Sequence, residues 1–206
     1  MSARLIIVRH AMSMGNRQNS FQGQIDTDLA PQGEEQLIAL SARFSAMEFD
    51  AIYSSPLKRA YRTAEACRGD RDMPIVTDKR LMEINGGVME GVSWDEVHIR
   101  FPQQARYWQE RSPLFSPEGG ESMAQVRRRI IEAVTEIAAA HEGKTVVVVT
   151  HGCTLRNLIC WAKGLPLEQL KQADRWSNTG IGIIEMADGV PTLIMENDHS
   201  HLDIPT

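Results

Sequence analysis

Two histidines stand immediately after apolar runs: His10 follows Leu5-Ile-Ile-Val-Arg9, and His151 follows Thr145-Val-Val-Val-Val-Thr150. Runs of four or more buried-type residues, mostly β-branched, predict central strands covered on both faces. The residues that follow then emerge at the carboxyl ends of the strands, where open α/β sheets bind ligands. A third short run, Asp50-Ala-Ile-Tyr53, precedes Ser55-Pro56, which predicts a helix with Ser55 as N-cap, Pro56 at its first position and Arg59 in its first turn. Arg9, His10, Arg59 and His151 therefore arrive from three strand ends. Two fixed cations and two imidazoles near helix N-termini suit a phosphate group.

The elements that must position these groups follow from periodicity. The segment from Ala11 to Ala30 is a long polar loop, and connections of that length tend to carry function. Pro31 opens a predicted helix in which Leu37, Leu40, Ser41, Phe44 and Met47 make one stripe. Pro74 to Thr77 reads as a short strand, and Arg80 to Ile84 leads into the Gly86-Gly87 turn. From Val88 to Gly120 the pattern is irregular: Ser93 caps a short helix through Arg100, and Pro102 breaks it. Glu121 to His141 is the clearest helix, with Met123, Val126, Ile130, Ala133, Val134 and Ile137 on one face and Arg127-Arg-Arg129 as a solvated flank. A helix from Thr154 to Lys163 stops at Gly164, and a terminal hairpin turns at Ala187-Asp188-Gly189. Alternating strands and helices give an α/β fold: a single three-layer α/β/α domain over 1–206, with a mostly parallel central sheet, helices on both faces, and 85–120 as an inserted lid or substrate-specificity segment.

With 206 residues, 42% of them hydrophobic and 24% charged, the chain has the composition of one ordinary globular domain. The formal charge of −5 argues against general nucleic-acid affinity, while a phosphate site needs only a local positive patch. Cys67, Cys153 and Cys160 lack metal or disulfide spacing, there is no apolar leader and no run of transmembrane length, so a cytoplasmic protein away from membranes is expected. A homo-oligomer is left open.

Each residue alone has a plainer account. A histidine after a buried strand is most often a core group satisfied by a backbone carbonyl, and a lone Glu83 is most often a surface carboxylate. Gathering His10 and His151 with Arg9 and Arg59 is harder to dismiss, because clustered buried cations cost free energy unless an anion lies between them. Other phosphate chemistries fail on the residues. A cysteine phosphatase needs Cys-x5-Arg, yet Met73 and Ile159 stand six beyond Cys67 and Cys153. Asp26-Thr27-Asp28 lacks the preceding strand of an aspartate nucleophile and reads as a polar loop or helix approach; no nucleotide-binding Gly-x4-Gly-Lys motif exists. His98, His141, His199 and His201 are too scattered for a metal centre, so neither metal nor cofactor is expected.

Six blocks, in order, resemble the histidine phosphatase superfamily, the phosphoglycerate mutase-like proteins. They are Arg9-His10 with Asn16; Phe21-Gln22-Gly23 before Leu29-x3-Gly33; Ser54-Ser55-Pro56-Leu57-x-Arg59-Ala60-x2-Thr63-Ala64; Leu81-x-Glu83 before Glu90-Gly91; Gly119-Gly120-Glu121-Ser122; and His151-Gly152. The resemblance implies His10 as nucleophile, Arg9, Arg59 and His151 as the phosphate pocket, Glu83 as proton donor, and Asn16, Gln22, Gly23 and Gly152 as substrate contacts. The chain departs from the family where Ala11 and Met12 replace Gly and Glu, where Met89 replaces an aromatic, and where Asn85-Gly86 replaces Phe-Gly.

The chemistry implied is a metal-independent phosphatase acting on a small phosphomonoester through a phosphohistidine. Neutral His10 attacks phosphorus, the cations hold the non-bridging oxygens, and Glu83 protonates the leaving alkoxide before activating water. A phosphoglycerate mutase-type transfer is an alternative, although mutases of the family are longer. A non-catalytic phospho-ligand-binding module is another, and Glu83 counts against it, since a binder needs no leaving-group acid. Trp94, Tyr107, Trp108 and Met14 are candidates for an aromatic entrance, or else a small core of the 85–120 segment.

Overall fold

Leu5, Ile6, Ile7 and Val8 are buried, as are Val146 to Val149, so the two apolar runs form the centre of a sheet. In the computed structural model, which describes residues 2–202, they are strands β1 (Ala3–Arg9) and β4 (Thr145–Thr150). Residue 1 and residues 203–206, the ends of the span expected for a single domain, lie outside the described residues. With β2 (Ala51–Ser54), β3 (Ile75–Thr77), β5 (Ile181–Ala187) and β6 (Val190–Asp198), they make one six-stranded sheet in the order β3-β2-β4-β1-β5-β6. The first four strands are mutually parallel, whereas β5 runs antiparallel to β1 and β6 to β5.

Side chains alternate across a strand, and this one periodicity feeds two cores. Leu5, Ile7, Val146 and Val148 pack with helices α6 (Met123–Ala140) and α7 (Gly152–Ala162). Ile6, Val8, Val147 and Val149 face the opposite layer, where α2 (Pro31–Ser45) and α3 (Lys58–Arg68) supply Leu37, Leu40, Phe44, Ala60 and Ala64. The α/β fold with helices on both faces is thus as the sequence predicts. Fully burying each such Val, Ile or Leu contributes roughly 1.5–3 kcal/mol, enough in aggregate to offset a cluster of buried cations at the strand ends. Adjacent strands β1 and β4 are followed by helices on opposite faces, so their carboxyl ends border the crevice typical of such sheets. No helix among the described residues is long and apolar enough to cross a membrane.

Four local expectations change, three of them through a partner distant in sequence. Helix α3 begins at Lys58, not Pro56, because Ser55 is not its cap: the Ser55 hydroxyl faces His151, while Asp26 Oδ1 accepts the Lys58 N–H at 2.7 Å. Helix α7 begins at Gly152, two residues earlier than the periodicity indicates, since the Glu83 carboxylate accepts the N–H groups of Cys153 and Thr154. Pro102 does more than end α4 (Trp94–Arg100); it occupies the first turn of a further helix, α5 (Pro102–Gln109). The expected solvated flank Arg127-Arg-Arg129 is largely tied down. Arg127 donates to the Leu165 carbonyl, and Arg129 pairs with Glu121 at 2.8 Å while donating to the carbonyls of Arg80, Met82 and Glu83.

Candidate active site

Parallel, in-register strands end side by side. Arg9 pairs with Thr150, so His10 and His151, one residue further on, are neighbours, with ring centroids 5.0 Å apart. Ser55 follows β2 one position earlier, level with Thr150, and its hydroxyl oxygen lies 2.7 Å from His151 Nε2. Arg59, from the first turn of α3, reaches the same point with Nε 3.2 Å from His151 Nδ1. Arg9, His10 and Arg59 are buried and line one cavity of about 520 Å³, and His151, buried beside them and bound to Arg59 and Ser55, is not among its lining residues.

Hydrogen bonds define the protonation of both rings. The Ala11 carbonyl can only accept, so His10 Nδ1 carries the proton at 2.7 Å from it and Nε2 keeps its lone pair. A guanidinium can only donate, so His151 Nδ1 is the acceptor for Arg59, and His151 Nε2–H donates to Ser55. Electrostatics agree: burial, then Arg59, pushes both histidines well below their ordinary pKa, and Arg9 adds to the effect on each. Both are neutral at pH 7. His151 is therefore a neutral donor.

These depressed values predict a pH-dependent stability. As pH falls through 6.5 the unfolded chain protonates both histidines while the folded chain does not, so stability is complete above that pH and declines below it. The slope is about 1.4 kcal/mol per pH unit for each histidine. Urea midpoints measured between pH 7.5 and 5.5 check this, and His10→Ala should remove about half of the slope. A wild-type midpoint that is flat across this range contradicts the assignment.

Arg9 and Arg59 are held differently. Arg59 donates to the carbonyls of Gly23 and Ile25, each at 2.8 Å, as well as to His151, and so pins the 11–30 loop against α3. Arg9 donates through Nη1 to the Trp176 carbonyl, but its buried Nε has no partner. Burial, followed by the nearby Arg175 guanidinium, lowers the Arg9 pKa to about 10, with Glu83 opposing the shift. Gly152 leaves this group uncovered, since a Cβ there would stand 3.5 Å from Nε.

Glu83 lines the cavity from an irregular segment that is nonetheless fixed. Arg129 holds the carbonyls of Arg80, Met82 and Glu83, Thr150 Oγ donates to Leu81, and Thr154 Oγ donates to Met82. Its carboxyl oxygens accept the N–H groups of Ile84, Cys153 and Thr154 at 3.0 to 3.1 Å, at the N-terminus of α7. Glu90 faces elsewhere, accepting the N–H groups of Gln24 and Gly86.

Asn16, Gln22, Gly23 and Gly152 also line the cavity. Asn16 and Gln22 are both bound to Ser13, at 3.0 and 2.7 Å, which shapes the loop around α1 (Met14–Arg17). Gly23 has φ +52°, and a Cβ there would meet Glu90 Oε1 at 2.1 Å, so the turn requires glycine. Trp94 and Trp108 reach the cavity while also packing with Phe21, so the aromatic entrance and the small core are one cluster. Tyr107 and Met14 are not among its lining residues.

Sequence reasoning missed several participants. Asn178 donates to the His10 carbonyl at 2.8 Å and Thr63 Oγ accepts the Ala11 N–H at 2.9 Å, so both steady the nucleophile-bearing turn. Arg111, Arg156 and Arg175 line the cavity as well. Arg156 had a readable signal, being the one charge among Leu155, Leu158 and Ile159 in an otherwise uncharged helix. Ser177 to Gly180 carried none beyond that of a turn. Cys153 also touches the cavity, but burial raises its pKa and keeps it a thiol.

The chain is similar to known proteins along nearly its whole length. It is 33% identical over 203 residues to phosphoserine phosphatase 1 of Hydrogenobacter thermophilus, covering 97% of this chain and 94% of that one. Among solved structures, Bacillus stearothermophilus YhfR superposes with a TM-score of 0.92 at 36% identity, covering 97% and 99% of the two chains. Phosphoserine phosphatase from Entamoeba histolytica, solved with 3-phosphoglyceric acid, does so with 0.83 at 27%, again covering 97% and 99%. The profile of the histidine phosphatase superfamily (branch 1) matches residues 5–199, and the chain belongs to that superfamily.

Proposed function

We propose that the protein hydrolyses a small phosphomonoester through a phosphohistidine at His10, without a metal ion. The observation that carries this is the state of His10: a neutral ring, clamped at Nδ1 by Ala11, whose Nε2 lone pair is free beside Arg9 and Arg59. Nε2 attacks phosphorus as the bond to the leaving oxygen breaks, and Glu83 gives that oxygen its proton. Water, losing a proton to Glu83, then attacks the phosphohistidine, which releases inorganic phosphate and restores His10. Arg9 and Arg59 take the role of a divalent cation toward the non-bridging oxygens, and His151 adds its Nε2–H once it leaves Ser55. Asn16, Gln22, Gly23 and Gly152 shape the walls, and 85–120 acts as a lid over the cavity. Support for a small phosphorylated metabolite as substrate comes from the relatives named above, one a phosphoserine phosphatase and one solved with 3-phosphoglyceric acid.

The test is hydrolysis of p-nitrophenyl phosphate with orthovanadate as competitor, since a five-coordinate oxyanion resembles the transition state. Arg59→Ala should lower kcat by about 10²- to 10³-fold, the loss typical of removing one oxyanion donor, and should weaken vanadate by a similar factor. A chelator should leave the rate unchanged. Vanadate inhibition unaltered by Arg59→Ala would make Arg59 structural only. Transfer of phosphate between phosphoglycerate positions, with no inorganic phosphate released, would favour the mutase.

A further inference from the structure

Five guanidinium groups, Arg9, Arg59, Arg111, Arg156 and Arg175, line the cavity against a single carboxylate, Glu83. A phosphoryl dianion leaves this imbalance only partly neutralised. Arg59 spends donors on Gly23, Ile25 and His151, and Arg111 spends its own on the carbonyls of Lys171 and Ala173. Arg156 spends none. It is 9% exposed, its Nε and Nη1 are buried without a hydrogen-bond partner, and among the described residues it forms no ion pair. It lies over the ring of Trp108, whose centroid is 6.0 Å from Cζ.

A buried guanidinium without an acceptor is costly, and α7 holds it at the cavity wall between the phosphate end and Trp108. Resting on the phosphomonoesterase reading for the site's other end, we propose that Arg156 is a specificity residue that binds a carboxylate on the leaving-group side of the substrate. The planar donor fork of arginine matches a planar carboxylate, and Arg175, exposed at the cavity rim with no partner among the described residues, supplies a second positive charge there. The charge of Arg175 is exposed and screened by solvent, so the one buried guanidinium, Arg156, balances one negative charge, which favours a carboxylate over a second phosphoryl dianion.

Equilibrium binding tests this independently of turnover, using His10→Ala protein and two probes that differ at one group: 3-phosphoglycerate, and glycerol 1-phosphate, in which CH2OH replaces the carboxylate. The first should bind about 10- to 100-fold more tightly, as expected for a charge-assisted, bidentate contact. Adding Arg156→Gln should collapse that ratio toward one, and Arg156→Lys should restore only part of it. In the absence of ligand, Arg156→Met should unfold at the same or a higher temperature than wild type, because it removes an unpaired buried charge; a purely structural Arg156 would lower it. Equal affinity for the two probes in His10→Ala overturns the proposal, as does a ratio unchanged by Arg156→Gln. Tighter binding of glycerol 1,3-bisphosphate than of 3-phosphoglycerate would assign the subsite to a second phosphate instead. Failure of wild type to hydrolyse any ester, with the binding ratio intact, would sink the phosphatase reading and leave the Arg156 subsite standing.

Discussion

His10→Ala is expected to lose at least about 10⁴-fold in phosphatase turnover and all acid-labile phosphate labelling. The reasoning lies in the ring's surroundings. Ala11 fixes its tautomer, Asn178 and Thr63 hold the turn on either side, and burial with two arginines keeps it neutral, while the Nδ1 lone pair of the neighbouring His151 is taken up by Arg59. Cys153, the other potential nucleophile at the cavity, is held as a thiol. Rapid-quench labelling with a radioactive aryl phosphate measures the intermediate. Labelling that persists in His10→Ala would move the covalent chemistry elsewhere.

Glu83→Gln should have the next largest effect, and its size should depend on the leaving group. An alkoxide requires a proton in the transition state, whereas a nitrophenolate departs adequately without one, and general-acid assistance is typically worth about 10²- to 10⁴-fold. Formation of phosphoenzyme from p-nitrophenyl phosphate should therefore change far less than turnover of an alkyl phosphate. Because the same carboxylate is assigned to activate water, the variant should accumulate phosphohistidine with the aryl ester and show a burst. Gln also places its NH2 group against the backbone donor of either Cys153 or Thr154, so a urea titration must accompany the kinetics to separate a loosened α7 from lost chemistry. Equal losses on both ester classes with no burst would make Glu83 a cap for that helix and nothing more.

The sheet and the four groups at its strand ends were legible because they depend on short-range pattern. A continuous apolar run predicts a doubly covered strand, and the next residue must emerge at its end, which brought His10 and His151 into one crevice. What was not legible depends on partners far away in the chain. The start of α3 rests on Asp26, 32 residues earlier, and that of α7 on Glu83, 70 residues before Cys153, so no local capping signal could have placed either one. Arg129 looked like one of three surface charges because a helix wheel shows only which side a residue leaves from. It does not show that the side chain turns back to hold three carbonyls of the Glu83 segment. Ser55 was misplaced for a related reason: a hydroxyl before Pro reads as a cap, and only the arrival of His151 from β4 gives it another partner.

The contacts of Arg59 bear on how the pocket is lost as well as how it works. Its guanidinium holds the carbonyls of Gly23 and Ile25 while Asp26 caps the helix that carries it, so the 11–30 segment and α3 anchor each other at both ends of one short span. Segments joined in this way open as a cooperative unit and not residue by residue. Transient detachment of the loop would strip Arg59 of two acceptors and α3 of its cap in the same event, leaving no partly assembled anion pocket. Anion capture and protection of this segment from amide exchange are then two measures of a single local folding equilibrium, and a bound phosphate stabilises the loop by the free energy with which it prefers the closed form.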